Sequence, residues 1–154
     1  MNGQWSYNSN NTGVQASTCT ASGSYSTAMG DGTTASGDYS TSMGRSTAAS
    51  ALYSTAMGRS TAASALYSTA MGYGTDASGY FSTAMGSSTT ASALYSTAMG
   101  DGTIASGSRS TAMGSYTTAS DYASLSIGRY NSVNSTVTAG GSAASFDTDN
   151  AAFV

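Results

Sequence analysis

The sequence contains no proline, histidine, lysine or glutamate, and only 7% of its 154 residues are charged. Without histidine, lysine and glutamate, and with one cysteine, the chain cannot assemble the pairs that usually supply general acids, general bases and activated nucleophiles. A serine needs a neighbouring base before it can act as a nucleophile, and none is available. We therefore expect no enzymatic activity and no cofactor.

Three further classes are disfavoured by what is missing. Zinc sites need clustered cysteine and histidine and calcium sites need grouped carboxylates, whereas the aspartates here are scattered, so we expect no metal site. A formal net charge of −3 argues against a nucleic-acid partner. No apolar run is long enough for a membrane span. Cys19 cannot form an intrachain disulfide, and we expect it to be a small buried residue, with an interchain bridge as the alternative.

The order of the residues excludes a flexible linker, although low charge and small residues are also typical of disordered segments. Methionine recurs every fourteen residues from Met29 to Met113, Ile127 takes the next place, and glycine follows each of them. Eight units of fourteen residues fit residues 23–134 without insertion or deletion. Such an internal repeat determines the architecture before any local prediction is made.

The repeat does not suit a coiled coil or collagen. Each unit offers one methionine for an apolar seam, its glycine would cost about 1 kcal/mol in a helix interior, and glycine does not recur every third residue. The segment Tyr-Ser-Thr-Ala-Met stops at glycine and predicts a short strand followed by a turn, and residues 61–64 exemplify a second short strand. Two strands and two turns in fourteen residues predict one coil of a β-solenoid.

The fixed and variable places predict which side chains face inward. We number each unit from Gly23, which occupies place one. In the first strand, places three, five and seven hold Tyr or Phe, Thr and Met, whereas places four and six hold Ser and Ala. In the second strand, Thr at place eleven and Ala at place thirteen flank a variable place twelve. Because side chains alternate across a strand, place twelve should face solvent, while places four, six, eleven and thirteen fill a thin coil. Glycine at place eight should be a turn residue with positive φ.

The outer face of the first strand would then carry rows of Tyr, Thr and Met, an apolar patch too large to leave in water. We therefore predict that this face packs against copies of the same chain. The predicted oligomer core consists of Thr27, Met29, Met43, Met57, Met71, Met85, Met99, Met113 and Ile127. In the alternative, the parity is reversed: Tyr, Thr and Met fill a wider coil, Ser and Ala face outward, and the solenoid is monomeric.

The unit Ser-Thr-Ala-Met-Gly-x-x-Thr-x-Ala-Ser resembles the YadA-type head repeat of trimeric autotransporter adhesins, whose pattern runs Ser-Val-Ala-Ile-Gly-x-x-Ala-x-Ala. The last unit is more similar still, with Ser-Leu-Ser-Ile-Gly at residues 124–128. The resemblance implies a left-handed parallel β-roll in which three chains associate through their inner sheets, with Thr at place five and Met at place seven in the trimer core. Thr and Met replace the family's Val and Ile, and Tyr at place three is a further departure. Similar repeats also occur in secreted or phage-borne fibres.

Three segments follow from the repeat. We predict that residues 1–22 form an N-terminal cap and a decayed first repeat, in which Trp5 and Tyr7 cover the open end of the roll. Residues 23–134 should form the eight coils. Residues 135–154 should form an exit segment or a cap, because the pattern dissolves after Asn134.

Function should reside on a surface rather than in a pocket. The candidate exposed binding face consists of Arg45, Arg59, Tyr73, Asp76, Ile104 and Tyr116. The leading hypothesis, which takes its adhesive character from the resemblance, is an extracellular or cell-surface adhesin head or fibre segment. It would bind a host or environmental surface, a matrix protein or a glycan through a repetitive trimeric face. One alternative is an ice-binding solenoid that uses its threonine rows, and another is a structural subunit of a surface filament.

Overall fold

The computed structural model describes residues 6–7, 14–16 and 18–130, which form an all-β solenoid of about eight coils without a helix. In chain order the strands are β1 (Ser6–Tyr7), β2 (Val14–Gln15), β3 (Thr20–Ala21), β4 (Thr27–Asp31), β5 (Thr34–Ala35), β6 (Thr41–Arg45), β7 (Ala48–Ala49), β8 (Thr55–Arg59), β9 (Ala62–Ala63), β10 (Thr69–Tyr73), β11 (Asp76–Ala77), β12 (Thr83–Ser87), β13 (Thr90–Ala91), β14 (Thr97–Asp101), β15 (Ile104–Ala105), β16 (Thr111–Ser115), β17 (Thr118–Ala119) and β18 (Leu125–Arg129).

Two parallel sheets hold the coils together. The larger sheet has the order β1-β2-β4-β6-β8-β10-β12-β14-β16-β18, and the smaller one runs from β3 to β17 through the odd-numbered strands. Each unit pairs with the next at equivalent places, so that Met71 lies beside Met57 and Met85. Only β1 and β2 pair antiparallel within the described residues. This confirms the predicted parallel β-solenoid with coils of fourteen residues.

The first strand of each coil lies two places later than predicted. It begins at Thr in place five and ends at place nine, as in Thr55–Arg59, instead of running from Tyr to Met and stopping at Gly. Tyr53 lies in the preceding turn with φ of 57°. Its backbone N–H donates to the carbonyl oxygen of Asp38, one coil earlier, at 3.0 Å. Tyr53 therefore lies in a turn that a hydrogen bond between coils stabilises, not on the strand. The prediction that Tyr shares a strand face with Met is wrong.

The interior of the coil contains only small side chains, as predicted. Ala56 and Ala63 are fully or almost fully buried, and so are Ser54 and Thr61 of the same coil. The alanines form a continuous column through successive coils. The reversed parity, with Ser and Ala facing outward, is therefore wrong. Methyl and hydroxyl groups are short enough for the two sheets to close on each other within one fourteen-residue coil.

Glycine at place eight has the predicted positive φ but lies within the first strand, not in a turn. At Gly72 the φ angle is 123°, and an added Cβ would lie 2.0 Å from the carbonyl oxygen of Gly86 in the next coil. No side chain fits at that distance. Glycine is therefore required at place eight for two reasons: the next coil leaves no room for a Cβ, and the backbone has a positive φ.

Some predictions concern residues outside the described part of the chain: Trp5, residues 131–134 of the eighth unit, and residues 135–154. Of the predicted cap, Tyr7 lies on β1 and is exposed. The decayed first repeat contributes β2, which pairs in parallel with β4, and β3, which pairs with β5. In the ranges that the structure describes, no helix is long and apolar enough to cross a membrane.

Candidate interaction surfaces

The outward side of the larger sheet carries one threonine and one methionine from each of seven coils. These side chains alternate with the buried residue at place six and so point away from the interior. We call this surface the Met face: places five and seven of β4, β6, β8, β10, β12, β14, β16 and β18. Its Thr and Met side chains are partly buried in the single chain, whereas Leu125 and Ile127 at its end are exposed. The structure thus brings all nine residues of the predicted oligomer core onto one face.

Half of the predicted exposed binding face forms a continuous row. Arg45, Arg59 and Tyr73 occupy place nine of consecutive coils and are neighbours by strand register. The Arg59 guanidinium carbon lies 5.4 Å from the centre of the Tyr73 ring, a cation–π contact. Arg45 Nε lies 3.5 Å from Asp31 Oδ2 in the preceding coil, and both side chains are well exposed, at 64% and 71%. All these groups lie at the end of the first strand.

The other three predicted residues lie elsewhere. Asp76 and Ile104 are on the smaller sheet, two coils apart, with Thr90 between them. Tyr116 occupies place ten of a later coil, where it has φ of 53° and stacks on Tyr130 at a centroid distance of 5.5 Å. The six residues therefore lie in three places: at the end of the first strand, in the turn that follows it and on the smaller sheet.

An exposed stack of aromatic rings runs along the turn before the first strand. We call it the aromatic ladder; it consists of Tyr25, Tyr39, Tyr53, Tyr67, Phe81 and Tyr95. Successive ring centroids are 4.9–5.1 Å apart, with interplanar angles of 6–18°. That spacing is close to the separation of neighbouring strands, about 4.8 Å, because the rings stand on successive coils. Because the ring faces are occupied by each other, the ladder offers ring edges and hydroxyl groups to a partner.

Arg109 continues the aromatic ladder where the ring is lost. Its guanidinium carbon lies 5.6 Å from the centre of the Tyr95 ring and 5.4 Å from that of Tyr122, in the coils before and after it. Beside the ladder, place two holds the exposed side chains of Leu52, Tyr80 and Leu94. The sequence showed that place three is nearly always aromatic, but our prediction assigned it to the first strand. No local signal in the unit marked this place as part of the turn, because the contacts that support it lie between coils.

The described residues include no metal-binding cluster, and their one cysteine is buried. Within the described ranges, no group of three or more Cys, Asp, Glu or His residues could hold a metal ion. Cys19 is buried, as expected, and its thiol donates to the carbonyl oxygen of Gly30 at 3.3 Å. Burial raises the pKa of the Cys19 thiol, but hydrogen bonds with Thr33, Thr18 and the backbone lower it by more. Because Cys19 lies in the interior, it is an unfavourable position for an interchain bridge.

Comparison with known proteins agrees with this geometry. The YadA head domain repeat family matches residues 21–47, 49–75, 77–103 and 105–131, each match spanning two copies of the repeat. No curated protein matches the chain. The family comprises non-enzymatic domains of surface-exposed adhesins, and its heads are trimeric. Four consecutive matches cover well over half of the sequence and coincide with the coils, so the chain belongs to the YadA head domain repeat family.

Proposed function

We propose that the chain is an extracellular, non-enzymatic head segment of a homotrimeric adhesin or fibre, whose three copies associate through their Met faces. The three rods lie side by side with the Met faces directed toward a common axis. The outer sheets and the exposed turns then remain available to a surface, a matrix protein or a glycan. The residue spacing, the family match and the trimeric habit of the family support this proposal.

The observation that carries the proposal is the uninterrupted Met face. Seven methionines stand in register on the outside of a sheet whose interior is already filled with alanine. Full burial of one Met side chain stabilises by about 1.5–3 kcal/mol. Because each Met here is partly buried in the single chain, about half of that is still to be gained, or roughly 5–10 kcal/mol per chain as an upper value. Only a long, straight, apolar partner can bury the remaining surface of the Met face, and a second copy of the chain has that shape.

Charge substitution on each sheet tests the oligomer. Met71→Asp introduces a carboxylate at the centre of the Met face, and we expect sedimentation equilibrium to give the mass of one chain instead of three. Ala48→Asp is the matched control, because it places the same charge on the smaller sheet at the place that Asp76 occupies in another coil. We expect it to retain the mass of three chains. A wild-type mass of one chain would refute the trimer.

Binding assays on the wild-type trimer test the adhesive part of the proposal. Collagen, glycan arrays and whole cells provide the relevant chemistries, and saturable binding to any of them that is lost with excess soluble trimer is the expected result. No binding to any of them would favour a structural fibre or filament segment instead.

One of the two threonine rows on which the ice-binding alternative depends is buried. Threonine at place eleven, as in Thr61 and Thr103, is fully buried and unavailable to an ice lattice. The remaining row, at place five, lies on the Met face, where a trimer would cover it. Thermal hysteresis of the purified protein, together with a mass of one chain, would revive this alternative.

A further inference from the structure

The two ends of the first strand carry different chemistry. We call places one to three of each coil the leading edge and place nine the trailing edge. The leading edge contains the aromatic ladder and, beside it, exposed aliphatic side chains such as Leu52 and Leu94. The trailing edge contains the row from Asp31 to Arg129, with charged side chains in five of its eight coils. The Met face lies between the two edges.

Threefold symmetry brings unlike edges together. Register pairing at equivalent places sets every first strand across the rod axis in the same direction. When three such sheets face a common axis, all their strands run in the same rotational sense. The end of one chain's strands therefore adjoins the beginning of the next chain's strands, a head-to-tail contact that closes into a ring.

We propose that the leading edge of each chain packs against the trailing edge of its neighbour and that their charges fix the axial register of the trimer. This inference rests on the proposed trimer and names the surface that aligns it. The partner is a second copy of this chain. The aromatic ladder with its flanking leucines forms the apolar part of the contact.

The charge pattern supports this pairing. Three charged side chains lie on the leading edge. With equal coils side by side, two of them face an opposite charge on the trailing edge, Asp38 facing Arg45 and Asp121 facing Arg129, whereas Arg109 faces Ser115. Leading-edge places in the four coils between Asp38 and Arg109 carry no charge, and the aromatic ladder is exposed there. Opposite charges thus meet near the two ends of the rod, and the apolar part of the leading edge lies between them.

The Met face cannot set this register by itself. Its rows repeat with every coil, so sliding one chain by a single coil, about 4.8 Å, restores almost all Met contacts. The edges are not periodic in charge. A slide of one coil in either direction leaves one opposite-charge pair and creates one like-charge pair, Arg109 with Arg129 in one direction and Asp38 with Asp31 in the other. Like charges in contact are unfavourable, so the alignment of equal coils, which has two opposite-charge pairs and no like-charge pair, is favoured over both.

Disulfide trapping of the full chain tests the contact. Tyr80→Cys with Ser87→Cys places one thiol on each edge of the same coil. The strand Thr83–Ser87 between them spans about 13 Å, beyond the roughly 7 Å limit for a disulfide between Cα atoms, so a bridge must join two chains. Under mild oxidation we expect a covalent trimer in non-reducing electrophoresis. Tyr80→Cys with Ser115→Cys is the matched control, because the second thiol lies two coils away and should link much less.

The outcomes separate this inference from the proposed trimer. A covalent trimer from the same-coil variant alone supports the contact and its register. Equal or greater linking in the two-coil control would overturn the register. No linking in a protein that sediments as three chains would overturn the edge contact and leave the trimer intact. A mass of one chain would overturn both.

Charge exchange provides a second test. Arg129→Asp places an aspartate opposite Asp121 of the neighbouring chain, while its own chain has serine at the preceding trailing-edge place. We expect the trimer dissociation constant, measured by sedimentation in a fixed moderate urea concentration, to rise by about tenfold or more over three equivalent contacts. The double variant Arg129→Asp with Asp121→Arg should recover most of that loss. A double variant that dissociates more readily than Arg129→Asp would contradict the pairing.

Discussion

Replacing threonine by valine at place eleven should have opposite effects in two neighbouring coils. In one coil, the hydroxyl oxygens of Ser42 and Thr47 lie 2.7 Å apart, and both residues are buried. In the next coil, Ala56 takes the place of Ser42, and the Thr61 hydroxyl has no hydrogen-bond partner among the described residues. The two threonines therefore share their place and burial and differ in hydrogen bonding.

The sign of each change follows from that difference. Thr61→Val replaces an unpartnered hydroxyl by a methyl group of nearly the same shape. A buried polar group without a partner costs about 1–3 kcal/mol, so the free energy of unfolding should rise by about 1–2 kcal/mol. Thr47→Val leaves the Ser42 hydroxyl without its partner, so the same free energy should fall by about 1–3 kcal/mol.

Equilibrium urea unfolding measures both values. All variants are compared at one protein concentration, because self-association makes stability depend on concentration. The double variant Ser42→Ala with Thr47→Val is the control: it replaces the whole pair by apolar groups and should lie near the wild type. Together with the two single variants it gives the coupling free energy of the pair as a double-mutant cycle. Equal destabilisation by Thr61→Val and Thr47→Val would refute the reasoning, because it would mean that both hydroxyls are bonded in the folded protein.

Three further substitutions are expected to change stability in urea unfolding. Gly72→Ala should cost at least about 3 kcal/mol or prevent folding, since its Cβ meets the Gly86 carbonyl, whereas Gly32→Ala in open space should cost only about 1 kcal/mol; similar losses would contradict the close approach. Tyr67→Ala removes two ring stacks and should cost about 1–3 kcal/mol, with Tyr67→Phe near the wild type as its control. Asp31→Asn breaks the exposed pair with Arg45 and should cost less than about 1 kcal/mol, so a larger loss would show that the pair is more than a surface contact.

Much of the fold was predictable because the eight repeat units of the chain can be compared with one another. Eight copies of one unit reveal which places tolerate change, as the variable place of Asp76 and Ile104 does. The fixed small residues, such as Ala56 and Thr61, were correctly placed inside, since a coil of fourteen residues has room for nothing larger. The outward Met face followed from the same alternation.

Strand bounds and the aromatic turn were predicted less well. Alternation along Tyr-Ser-Thr-Ala-Met suggested one strand, but Tyr53 adopts a left-handed conformation that is uncommon for residues other than glycine. A bond to the preceding coil and ring stacking on Tyr39 and Tyr67 support that turn. Neither contact exists in an isolated unit, so local propensity could not indicate them.

The candidate binding residues illustrate the same limit. Variability selected Arg45, Asp76 and Tyr116 as exposed, but variability does not tell on which side of the coil a residue lies. Tertiary structure separates them, because the chain turns twice between one first strand and the next.

The sequence by itself determined the period, the small interior and the absence of ordinary acid–base residues, because each is a matter of which residue types recur and at what spacing. Only the tertiary structure decided where the first strand begins and that Gly72 lies against the next coil. It also decided that rings fourteen residues apart form a stack. These features depend on stacking one coil on another at strand spacing, and that distance is a property of neighbouring coils rather than of any single unit.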